Sequence, residues 1–176
     1  MQVKSRHHLR SDEVREVEDE LAANLGVDLD ADSYELVELE DSAFDLVLVD
    51  GEPAVLYVES AEQGSAEESS GQSPRDDEPF LTVRGANDYP PQTHVVTVDA
   101  GAVSFVSDGA DVMRPGIVEA DPDIEPGDLV AIAEESHGKV LAVGRAKTDG
   151  EEMVGDSGKV VESIHHVGDD LYEFTV

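Results

Sequence analysis

Between residues 95 and 116 the chain reads VVTVDAGAVSFVSDGADVMRPG, and few folds accommodate so many changes of direction in so short a run. An apolar run (Val95, Val96, Val98) meets Asp99. Val103 and Val106 follow three apart, and Gly109, a second apolar run and Pro115-Gly116 complete the stretch. The spacing predicts strand, single-turn helix, strand and turn. Gly101 and Gly109 are where such a path needs close backbone approach or positive φ, and Pro115 fixes φ as the chain leaves the second strand.

At 176 residues the chain allows one medium domain or two small ones, and 39% hydrophobic residues can supply a core, which argues against disorder throughout. Against that core stand 42 acidic and only 11 basic side chains, a formal charge of -31. In dilute salt such self-repulsion opposes compaction. The excess runs through both halves and resembles the composition of proteins from extreme halophiles, where molar salt shortens the Debye length to about 3 Å. A mesophilic protein with basic partners is the alternative. The absence of cysteine excludes disulfides and thiolate metal sites. No apolar run reaches the length of a membrane span or a secretory signal, so a soluble, cytoplasmic protein is expected.

The opening MQVKSRHHLR is the one basic block, with Lys4, Arg6, Arg10, His7 and His8, and fits either a phosphate-contacting edge or a partly ordered terminus. Ser11 is the expected cap of an amphipathic helix that carries Asp12 and Glu13 in its first turn, Val14, Val17, Leu21 and Leu25 on its apolar face, and Gly26 as its stop. Strands are expected over 34–39, 44–49 and 54–58, with Asp50-Gly51 as a hairpin turn, and again over 80–83. Residues 59–79 contain no Val, Ile, Leu, Met or aromatic side chain and read as a mobile acidic loop interrupting this first unit. Pro90-Pro91 marks the boundary, giving an N-terminal domain over 1–91 and a second over 92–176. Beyond it, Pro126-Gly127 leads into a strand, Gly138 closes a hairpin into 140–145, 151–153 forms a short turn, and further strands run from Lys159 and over 171–176.

Asp99-x-Gly101-Ala102, Gly109-Ala110-x-Val112-Met113 and Pro115-Gly116 together resemble the opening of a PUA domain, the RNA-binding module named after pseudouridine synthases and archaeosine transglycosylases. Ile164-His165 with Asp169 and Leu171, behind an N-terminal region of about ninety residues that ends in Phe80-Leu81-Thr82-Val83-Arg84, looks like the malignant T-cell-amplified sequence family of translation factors and their archaeal relatives. Leu81 stands where that family usually has Pro, and Tyr172 where it has Tyr or Trp; the acidic loop departs from the family. The resemblance implies an α+β N-terminal (pre-PUA) domain followed by a mostly-β PUA pseudobarrel with one or two short helices, its final strand beside the early ones.

The same resemblance implies RNA binding without catalysis, often to the acceptor stem and CCA end of tRNA, at an edge that here is Gly101, Ala102, Gly109, Ala110, Met113, Arg114, Pro115 and Gly116. Glycines let a phosphate or sugar approach backbone N–H groups, and Arg114 can add charge or stack on a base. Arg145 and Lys147, two apart on one strand, with Lys159 and Arg84, are expected to extend a positive patch. The implied partners are structured RNA, tRNA or small-subunit rRNA, with a second translation-factor protein as a possible companion. The implied role lies in initiation, reinitiation or ribosome recycling, for a monomer that uses neither DNA nor membrane. The competing reading is an accessory subunit docked on an RNA-modifying enzyme. Chemistry finds no foothold. His165-His166 near Asp169 and Asp170 could suggest a metal, but neighbours on a strand point to opposite faces, and His7-His8 does no better. Phosphate-loop motifs are absent, and no nucleophile has a defensible base, so no cofactor, metal or catalytic residue is expected.

Overall fold

The computed structural model describes residues 2–40, 42, 44–59 and 77–174. The first half is an antiparallel meander in the order β1-β2-β3-β4-β5, built from Val3–His8, Tyr34–Leu39, Asp45–Val49, Glu52–Glu59 and Asp77–Leu81. Helix α1 (Ser11–Leu25) buries Val17, Leu21 and Leu25, one residue per turn, and Gly26 ends it in the left-handed region at φ 69° with its N–H on Ala22 O. Ser11 is the first helical residue, not the cap. That position falls to Arg10, whose own N–H is met by the Glu13 carboxylate at 2.9 Å, the reciprocal half of a capping box.

Three further expectations shift. The basic opening forms β1, paired with β2 from Val3↔Leu39 to His8↔Glu35. It has no apolar alternation to betray it and is held by the ladder and by Arg6 Nε on Glu35 at 2.8 Å. Strand β4 reaches Glu59 and β5 begins at Asp77, with Val58↔Glu78 and Tyr57↔Pro79 in register, so the ends of the expected loop are sheet; residues 60–76, and with them its expected mobility, lie outside the described residues. Finally β5 stops at Leu81 because Thr82 caps a short helix, α2 (Val83–Asp88): its hydroxyl accepts from Gly85 N–H at 2.9 Å and donates to Pro53 O at 2.8 Å.

The second half is a β-rich, nearly closed pseudobarrel in the order β7-β11-β10-β9-β6-β8. Strand β6 (Val95–Val98) runs through a 3-10 turn into α3 (Val103–Ser107), then β7 (Val112–Met113) and a 3-10 turn at Arg114–Gly116, as the spacing predicts, and on into β8 (Ile117–Ala120), a strand the spacing does not announce. Strands β9 (Leu129–Glu134), β10 (Val140–Ala146) and β11 (Lys159–His166) follow; β6 lies parallel to β9 and every other pair is antiparallel. A last strand over 171–176 does not form as far as Phe174. The Asp169 carboxylate accepts from the backbone N–H of His166 (2.9 Å) and Tyr172 (2.8 Å), turning the chain back, and β11 takes the place beside β7 instead.

One apolar cluster fills the barrel around Val96, Val106, Ile117, Ile132, Met153 and Val161. The other is shared: α1 and the first sheet contribute Leu21, Leu25, Leu46, Leu56 and Leu81, and the second half contributes Leu129, Ala131, Val143, Leu171 and Phe174. Polar pins cross the same seam. The Asn87 amide both donates to Val140 O (3.1 Å) and accepts from Val140 N–H (2.8 Å), and Val83 N–H donates to the buried His165 Nε2 at 3.1 Å.

Candidate nucleic-acid interface

Asp99 starts the site. Its side chain accepts from Ala102 N–H at 3.0 Å, capping the turn into α3, while its own N–H donates to Gly116 O at 2.9 Å. This stitches the end of β6 to the turn after β7 and brings two small-residue segments face to face. A Cβ on Gly116 would stand 2.9 Å from Ala102 Cβ, closer than packing allows, so only glycine fits there. The result is an open groove of about 500 Å³ lined by Gly101, Ala102, Ala110, Met113, Pro115 and Gly116, with Val106 and Val112 at its floor. Phe105, 66% exposed, and Met113, 49% exposed, stand at its rim as large apolar side chains turned to solvent.

Six of the eight expected edge residues therefore meet in one groove. Gly109 does not line it: it makes the turn behind α3 at φ 95°, where an added Cβ would strike the His166 ring at 2.7 Å. Gly101 is neither at positive φ nor crowded, its nearest would-be contact being the Asp99 carboxylate at 3.4 Å, so the expected backbone need for glycine does not hold there. Phe105 escaped the sequence reading, although an aromatic between Ser104 and Ser107 on so short a helix is the available signal.

The cations are spread differently from the expected patch. Arg114 turns away along the neighbouring loop, Nε on Glu152 O at 2.8 Å and a terminal nitrogen on Ser157 O at 3.0 Å, so it staples the loop to the groove wall. Lys159 lies opposite Met113 in the β7–β11 ladder, beside the groove, with Nζ 3.3 Å from Asp111. Asp111 also accepts from Ser163 N–H at 2.8 Å, and this bond, ahead of the Lys159 contact, holds its carboxyl below the usual range despite burial. Lys147 reaches Glu162 at 3.9 Å, the residue opposite Arg145 on β11. Arg145 itself is only 16% exposed and faces the first sheet, donating to Gly127 O at 2.7 Å and approaching Glu78 at 3.4 Å. Arg84 stands on the same seam, 3.8 Å from Glu52 and 5.2 Å above the Tyr172 ring. Arg145 and Arg84 thus join the halves and do not extend the groove. Among the described residues no group of three or more His, Asp or Glu side chains has metal-binding geometry, and no helix is long and apolar enough to cross a membrane.

The PUA domain profile matches residues 94–168, the segment that carries this groove. An uncharacterized protein of Methanocaldococcus jannaschii is 31% identical over 99% of both chains. Translation machinery-associated protein 20 of Saccharomyces cerevisiae is 35% identical over 57% of this chain and 59% of its own length, so that likeness spans little more than half of either protein. Among solved structures, a hypothetical protein of Pyrococcus horikoshii superposes with a TM-score of 0.76 at 28% identity, over 98% of this chain and 100% of that one. By its full-length archaeal relative and its PUA segment, the chain belongs to the archaeal PUA-domain proteins related to translation machinery-associated protein 20 and the malignant T-cell-amplified sequence proteins.

Proposed function

We propose that this protein is a non-catalytic RNA-binding factor of the cytoplasmic translation machinery that holds the unpaired 3′ end of a structured RNA, the acceptor end of tRNA first among candidates, in the groove between α3 and the turn after β7. The observation that carries the reading is the groove itself: a small-residue edge that brings backbone close to a ligand, rimmed by exposed Phe105 and Met113. An apolar cleft with an aromatic rim suits the faces of unstacked bases, which bind by stacking whatever their sequence. In so acidic a chain that matters, because stacking survives salt that screens phosphate contacts. The factor acts as a monomer on tRNA and the small ribosomal subunit during initiation, reinitiation or recycling, with residues 1–91 and 92–176 as its two structural units.

A labelled tRNA acceptor minihelix with a single-stranded CCA end, titrated in high KCl, tests this. Phe105→Ala should weaken binding by roughly 1 to 3 kcal/mol, the worth of one stacked base, and a blunt-ended minihelix should bind the parent protein no better than the variant binds the overhang. Equal binding of both probes by both proteins would remove the groove as the site. Crosslinking in cells that recovers a modification enzyme, with neither tRNA nor rRNA, would favour the accessory-subunit role.

A further inference from the structure

The basic opening of the chain plays no part in the groove, yet four of the 11 basic residues, Lys4, Arg6, Arg10 and Arg15, fall in its first fifteen positions. Among the described residues strand β1 is the outer strand of its sheet and pairs only with β2, and five of its six residues are exposed. A strand that buries so little contributes its surface, not a core. Its His8 meets Arg15 of α1 across a groove of about 490 Å³ that Ser11 and Tyr34 also line. Glu18 borders the same groove but is engaged by the Tyr34 hydroxyl at 2.7 Å, and Asp32 lies at its margin. Arg6 and Arg10 are drawn onto Glu35, Asp12 and Glu13, whereas Lys4 and Arg15 take part in none of the described ion pairs.

We propose that β1 and the groove it shares with α1 form a second RNA-contacting surface, a strip that binds backbone phosphates while the PUA groove takes the bases. The inference rests on the proposed RNA-binding role. Charge selects the occupant: the first ten residues contain no carboxylate in a chain that carries 42. Addition of a protein strand is disfavoured by the same features, because exposed Lys and Arg and the irregularity between Val3 and Ser5 are devices that keep sheet edges from pairing. Lys4 and Arg15 supply phosphate contacts without first breaking an ion pair, and His8 and Ser11 offer hydrogen bonds within reach of the same groove.

The test titrates the labelled CCA minihelix onto the full chain across the KCl range in which circular dichroism shows an intact fold. Lys4→Glu with Arg15→Glu should weaken binding severalfold and flatten the log–log salt slope by about 1.4 to 1.8, two phosphate contacts' worth. Lys139→Glu, an exposed charge reversal in the β9–β10 hairpin, should leave the slope unchanged. Phe105→Ala should lower affinity at constant slope. If the charge-reversed variant folds poorly, Lys4→Gln with Arg15→Gln should show the same flattening. Parental slope and affinity in the strip variants, with Phe105→Ala still impaired, would overturn the strip and leave the groove standing. Equal slope changes from Lys139→Glu would also overturn it, by reducing the effect to net charge. A normal Phe105→Ala beside impaired strip variants would instead remove the groove and keep the strip.

Discussion

His165 shows how one side chain can be spoken for at both ends. It is 1% exposed; Nε2 accepts from Val83 N–H at 3.1 Å, which assigns the proton to Nδ1, 3.0 Å from Asp169. The histidine that looked like half of a metal set is thus a joint between the two halves of the chain. Burial pushes the Asp169 carboxyl upward, but the hydrogen bond from His165 and those from the His166 and Tyr172 N–H groups outweigh it and hold the group below the ordinary carboxylate range. An unfolded chain then takes up this proton at higher pH than the folded one, so the contribution is complete above the ordinary Asp value near 4 and is lost as pH falls through the lowered folded value. Asp169→Asn should cost about 1 to 3 kcal/mol at pH 7, the toll of leaving buried donors poorly met, and the gap to the parent should shrink below about pH 4. Urea denaturation at pH 7 and pH 3 checks both parts; a gap that stays constant would show that the carboxylate's charge is not what His165 needs.

The element that organises the groove is α3 with the tight turn behind it. Gly109→Ala places a side chain at φ 95° and drives its Cβ into the His166 ring, which is itself held 3.0 Å from Ser107 O. The strain should destabilise the fold by roughly 1 to 3 kcal/mol, and displacement of α3 should weaken minihelix binding; thermal melts and titration together check it, and an unchanged melting midpoint would show that the turn yields freely. This part of the fold was legible from sequence because its determinants are local: an Asp cap, apolar residues three apart, a turn glycine and a Pro-Gly step follow within about twenty residues. Strand β1 was hidden because it is defined by backbone pairing to residues some thirty positions away. Helix α2 and the turn at 169–172 rest instead on short-range caps, Thr82 taking Gly85 N–H and Asp169 taking Tyr172 N–H, which sit in or beside apolar runs that read as strands. The groove's outline could be read, but not the direction of its arginine, since Arg114 is drawn off by carbonyls of residues 152 and 157 that no nearby pattern announces.

Across the whole molecule 42 acidic groups stand against 11 basic ones, and among the described residues Arg6, Arg10, Arg84, Arg145, Lys147 and Lys159 already have acidic partners, so carboxylates far outnumber the cations that could neutralise them. We expect the melting midpoint to climb as KCl is raised from 0.1 to 3 M, because screening reduces repulsion that the folded state concentrates. The shared core, with Leu129, Val143, Leu171 and Phe174 packed against the first sheet, predicts that both halves melt in one transition. Calorimetry across the salt series would contradict these expectations by a flat midpoint or by two resolved transitions. The same shared core sets a schedule for biosynthesis. Strands β2 to β5 leave the ribosome in an order that lets each pair with its predecessor, yet Leu171 and Phe174, which close the seam against them, are made long afterwards. Until those two side chains emerge, the nascent chain carries a finished sheet with an open apolar flank, and the interval of translation from Leu81 to Phe174 is the time during which a chaperone would find something to hold.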